Sequence, residues 1–351
     1  MEVQRSERAA APIGAVGKMS RGGMRELARR HLLAICCILG PILFAALGTE
    51  ATTRWMLPEQ IGNLRQSFVF LPDAASNPAG GVGQPDVKLL FPARDISGRI
   101  RYAAISALLC LVSVGAFVFG AVVVAHCHGP RALAIAFVLV LPAPIAFGFS
   151  EPAFERARPL VVESILKAAD LNGSYSPMAV KDWSTPKTII WLVRFNTVVA
   201  LLGVGMLLMA LYVTSIRACA AALTLQDLRK RREIARWVLG LGSAILVVAV
   251  IASEILVDWP PSLLASSQQL ALKPIADAIN LLLGVIGTIA LLAAFAPAIA
   301  AFTLDVRRYR VYTPVRGGPA GDELGFAPVS SVTGLIVAFA PLLASVLKLL
   351  L

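Results

Sequence analysis

Residues 188–213 read TIIWLVRFNTVVALLGVGMLLMALYV, residues 226–236 read QDLRKRREIAR, and residues 237–257 read WVLGLGSAILVVAVIASEILV. The first apolar run holds 26 residues. At a rise of about 1.5 Å per residue, each run is long enough to cross a hydrocarbon core of about 30 Å as a helix. The basic segment between them forms the turn of a helical hairpin, 188–257, with an inner loop expected over 214–236. This hairpin is the unit around which the other segments are expected to be arranged.

The rest of the chain agrees with that reading. Of 351 residues, 57% are hydrophobic and only 15% are charged. A soluble domain carries about 25% charged residues, so the length goes into membrane spans and loops. The apolar runs are too continuous for barrel strands, and open backbone in lipid leaves polar groups unpaired. The fold class expected is therefore an all-α polytopic membrane protein with about seven transmembrane helices, short inner turns and two modest outer loops.

Taken in order, residues 1–30 form a basic cytoplasmic tail. Gly14-Ala-Val-Gly17-Lys18 approaches a phosphate-loop pattern, but Pro12 occupies the first glycine position and no strand precedes it. Span 1 is 31–48, with a signal peptide ending near Ala46-Leu-Gly48 as the other reading. An outer loop, 49–101, is rich in Pro, Gly, Asn and Asp, and its Ser67–Leu71 and Val87–Phe91 patches suggest short strands. A second hairpin, 103–149, turns at His126-Cys-His-Gly-Pro-Arg131. The outer loop 150–187 begins with an amphipathic pattern through Phe154, Leu160, Ile165 and Ala169. After the 188–257 hairpin come an outer loop, 258–277, span 6 at 278–302 and a basic inner linker, 304–328. The closing run, 329–351, is either a seventh span or an interfacial helix. Internal duplication is weakly signalled by Leu-Leu pairs at similar depths of several spans.

Charge sets the expected orientation. With the N-terminus inside, the inner segments carry a net +10 and the outer loops a net of zero, so nearly all of the +11 lies on one side. That asymmetry is the positive-inside pattern, not a nucleic-acid footprint. It places the N-terminus in the cytoplasm and the C-terminus on the outer side of a plasma (inner) membrane. The arginine-rich basic complement suits a GC-rich bacterial genome. The cluster Arg229, Lys230, Arg231, Arg232 and Arg236 is expected to face anionic headgroups on the inner surface. The cysteines fall in spans or on the inner side, so no disulfide is expected.

Candidate sites are few. Arg194 and Glu254 are the ionisable residues inside the spans as drawn, at matched depth on the two helices of one hairpin. They suggest a structural intramembrane pair, or separate snorkelling to the outer interface. Arg194, Asn196 and Asn280 would line a polar path if one exists. His126, Cys127 and His128 are weak metal candidates, because His-Cys-His in a tight turn is not an established ligand spacing. Prolines and glycines in the spans suit close helix packing as well as broken-helix sites. No intramembrane dyad, His-Glu-x-x-His or buried aspartate pair is present in the sequence, so no catalytic residue and no cofactor is assigned. The reading is a non-enzymatic scaffold, assembly or accessory subunit with a membrane-protein partner. The alternatives are a transporter or channel for a small or apolar solute, and a sensor that binds a ligand through its outer loops.

Overall fold

A computed structural model describes residues 90–142, 144–145, 165, 185–216, 224–264, 266–312, 339–343 and 346. Span 1, the strand-like patch 67–71, the loop between the third and fourth helices and most of the closing run lie outside these. The described residues are nearly all helical, with no strand among them. They form α1 (Leu90–His128), α2 (Pro130–Val140), α3 (Thr185–Ile216), α4 (Leu225–Asp258) and α5 (Ser266–Tyr312), with a 3-10 turn at Pro260–Leu263. Four of the helices are long and apolar enough to cross a membrane, over Arg94–His128, Trp191–Thr214, Leu225–Leu263 and Gln268–Arg307.

The helices outrun the apolar runs that marked them. α1 starts at Leu90, so the last part of the expected outer loop and the end of the strand-like patch 87–91 are helical. α4 starts at Leu225, so most of the expected inner loop 214–236 is three turns of helix. α5 takes in 266–277 of the expected third outer loop and continues to Tyr312, into the expected linker. The cause is that charge ends an apolar run without ending a helix. Helices stop where the backbone is broken, and the breakers here are identifiable. Gly129 adopts φ +81°, a conformation a Cβ disfavours, and Pro130 then begins α2 at a position where no amide donor is needed. Trp259-Pro260-Pro261 ends α4, and the Ser262 hydroxyl donates to the Trp259 carbonyl at 2.6 Å. α4 begins at a capped end, where the Thr224 hydroxyl accepts from the Asp227 amide at 3.2 Å and donates to the Asp227 carboxylate at 2.7 Å. α2 alone is 11 residues, and Pro142, Pro144 and Ile145 beyond it are also helical, the Ile145 amide donating to the Leu141 carbonyl.

The most extensive helix contact is between α1 and α3, not within the α3–α4 hairpin. These two helices run parallel. Ser106 meets Asn196, Ser113 lies on Gly203, Gly120 lies on Met206, and His128 reaches Val213, so the numbers rise together. α2 runs back between them, its Phe137 edge-on to Phe117 with centroids 5.4 Å apart and its Val140 on Gly205. α4 is antiparallel to α1: Trp259 lies on Gly98 and Trp237 is near Phe119. α5 is antiparallel to α4, with Leu246 on Gly287 and Leu291 on Gly242. α3 is enclosed by its neighbours, and Met206–Leu211 are buried at every position around the helix. Continuous apolarity suits that place, because no face of this segment is left to be polar. On α1, Ile100, Leu108, Leu111, Val118 and Val122 face outward from the bundle.

Two glycines set how closely α1 and α3 approach. A Cβ at Gly203 would stand 2.7 Å from the Ser113 carbonyl oxygen, and one at Gly120 would stand 2.6 Å from that of Met206. Gly115 on α1 has open space where its Cβ would go. Gly203→Ala is therefore expected to destabilise the bundle by about 1–3 kcal/mol. Gly115→Ala is expected to stay within about 0.5 kcal/mol of the parent chain. Reversible denaturation in detergent micelles measures both, and equal losses would remove the close crossing as a determinant of stability.

Candidate functional site

Polar chemistry concentrates in one layer of the bundle and at one end of it. In the layer, Asn196 of α3 is buried to 4% exposure. Its Nδ2 donates to the Ser106 hydroxyl at 2.9 Å, and its Oδ1 accepts from the Cys110 thiol at 3.4 Å, both partners being on α1. Both ends of the amide are thus engaged across the α1–α3 contact. Such bonds hold helices together where the alternative is an unsatisfied amide in hydrocarbon. Cys110 and Cys127 are both free thiols.

The register places the other candidates close to this layer. On α1, Gly98 marks the level of Trp259 and Ser106 the level of Asn196. Counting along the antiparallel and parallel neighbours puts Arg194 and Glu254 within about one residue rise, roughly 1.5 Å, of each other in depth. Both are half-buried. Leu246 lies against Gly287 and Leu291 against Gly242, so Asn280 on α5 falls level with Ser253 on α4. Asn280 is 2% exposed. Arg194, Asn196 and Asn280 therefore share one depth on two helices, with Asn196 turned into α1.

The basic cluster divides. Arg229, Lys230 and Arg236 are exposed and Arg232 is half-buried. Arg231 does not face the headgroups as expected. Its side chain is 12% exposed, and its Nη1 donates to Asp305 Oδ2 at 3.1 Å across the α4–α5 interface. The Asp305 side chain is 2% exposed. The periodicity of α4 explains this, since position 231 lies one turn from the buried Leu228 and Ala235. The pair borders a cleft of about 20 Å³ between α3, α4 and α5, reached by Thr214 and Phe295. The apolar-run reading missed Asp305 because it was assigned to the linker. The available signal was a lone acid about two turns before the end of a long helix, opposite a basic helix start.

The histidine turn contributes two rings on different sides of α1. His126 and His128 are separated by about 200° around α1, so they point away from each other. His128 Nε2 lies 3.3 Å from the Val213 carbonyl oxygen. Among the described residues, no group of three or more His, Cys, Asp or Glu is placed to hold a metal.

Asn196→Ala is expected to cost about 0.5–2 kcal/mol in micelle denaturation, with Ser106→Ala adding little once Asn196 is gone. Full additivity would show that the two do not act together. For the charged layer, a double-mutant cycle of Arg194→Leu and Glu254→Leu is expected to give a coupling of about 0.5–3 kcal/mol. Additive losses would mean that each charge reaches the interface separately. The chain matches no protein-family model, no curated protein and no solved structure.

Proposed function

We propose that this chain is a non-enzymatic scaffold or accessory subunit of a membrane complex. The observation that supports it best is the state of Asn196: the polar group on the expected solute path is occupied at both ends in joining α1 to α3. A path residue has to present its polar atoms to a passing solute, whereas an assembly residue spends them on its neighbour. In this reading the bundle has seven spans, with 31–48, the α2 region and 329–351 completing the four long helices. The N-terminus is cytoplasmic and the C-terminus outside, in a bacterial inner membrane. Arg229, Lys230 and Arg236 face anionic headgroups, and the outward apolar face of α1 adjoins lipid or a partner span. A transporter is the second reading. It is favoured by the common depth of Arg194, Glu254 and Asn280, because ionisable groups held within a span often mark a pathway.

The two readings separate in native membranes. Mild detergent extracts run on a native gel are expected to show the chain in a species larger than the purified chain in the same detergent. Asn196→Ala, by loosening the α1–α3 pair, is expected to reduce the fraction in that species. Identical migration of the extracted and purified protein would sink the scaffold reading.

A further inference from the structure

Three features of α5 coincide at one position. First, Pro297 sits within a continuous 47-residue helix, Ser266–Tyr312. Proline has no amide hydrogen, so the carbonyl four residues earlier loses its helical donor and the helix can bend there. Second, the core divides at this point. Leu291, Ala294 and Phe295 belong to the main core with α1, α3 and α4, and Ala298 and Ile299 still pack against it, whereas one turn further on Phe302 and Val306 belong to a separate small cluster with Leu228. Third, the cleft of about 20 Å³ lies alongside, lined by Phe295 before the proline and by Ile299, Phe302 and Asp305 after it.

We propose that residues 298–312 of α5 form a hinged arm that pivots at Pro297 and is latched to α4 by the Arg231–Asp305 pair. Closed, the arm is held by the three-residue cluster and by the ion pair at 3.1 Å. Ala298 and Ile299 at the root of the arm stay against the main core, whereas the cluster beyond them is separate from it, so release of the pair frees the rest of the arm without unpacking the bundle. The cleft leaves the neighbouring α3 face, at Leu211 and Thr214, incompletely filled by α5. A buried ion pair suits a latch. Its net contribution to stability is small because desolvation opposes attraction, yet removal of one partner is costly because the other charge is stranded. Arg231 avoids that cost by moving out with its long side chain to the water that already surrounds Arg229 and Lys230.

Hydrogen exchange of the full chain in lipid nanodiscs, read by mass spectrometry, tests this. Asp305→Asn is expected to speed exchange over 298–312 by roughly tenfold while 266–293 changes less than about twofold. Adding Pro297→Ala restores the missing bond and is expected to reverse most of that rise. In the otherwise unchanged chain, Pro297→Ala is expected to slow exchange of the arm several-fold, a measurement that stands even where Asp305→Asn does not accumulate. An unchanged arm in both single variants overturns the proposal. So does a uniform rise along α4 and α5 in Asp305→Asn, which makes the pair a structural clamp.

Discussion

The bundle depends on two backbones lying almost in contact. α1 and α3 approach so closely that a methyl group at Gly120 or Gly203 has no place to go. In water, apolar burial alone drives helices together. In lipid the chains outside are as apolar as the side chains inside, so dispersion at close range and interhelical hydrogen bonds carry the association. This pair has both, with the glycines below and the Asn196 amide between Ser106 and Cys110 above. The remaining helices are arranged on it. α2 fits back along the pair with Val140 on Gly205, α4 lies across α1 with Trp259 on Gly98, and α5 packs on α4.

The two ends of the bundle are finished by different chemistry. At one end, Tyr102, Ile189, Leu256, Trp259 and Leu263 form an apolar cap, and Arg94 reaches the Ser262 carbonyl at 3.0 Å, tying α1 to the turn after α4. Asp95 is buried there and paired with Arg99 one turn along the same helix. At the other end the cap is smaller, three buried apolar residues, and the α4–α5 contact relies on Arg231 and Asp305. An apolar cap tolerates small displacements with a graded loss. An ion pair is either made or broken, and at the second end it is the pair that bridges the two helices, whereas Asp95 and Arg99 lie on one helix.

The four long apolar helices were legible in the sequence and the contacts between them were not. The run 188–213 sits inside α3, and 237–257 sits inside α4. Length and apolarity suffice for that, since the bilayer imposes both. Helix ends were misplaced because Arg229 to Arg236 interrupt hydrophobicity without interrupting backbone hydrogen bonds. The choice of α1 as the main partner of α3 was hidden, because it rests on Gly120 meeting one backbone and Gly203 the other, and glycines are common in spans. The depth of Arg194 and Glu254 could be counted from the span ends. The inward turn of Arg231 could not be read without the identity of its neighbour, since a basic run looks the same whether one of its members faces solvent or Asp305.

Parallel packing of α1 and α3 also sets the order in which the protein can be made. Ser106 and Asn196 are ninety residues apart, and the ribosome adds about 5–20 residues per second, so α1 waits on the order of ten seconds for its main partner. During that interval its Ser106 and Ser113 hydroxyls and the notch at Gly120 are unmatched by α3. Among the described helices, α2 is the neighbour already made, joined directly through Gly129. The short returning helix, which touches both α1 and α3 in the finished bundle, is thus in place beside α1 before the partner that it will later flank.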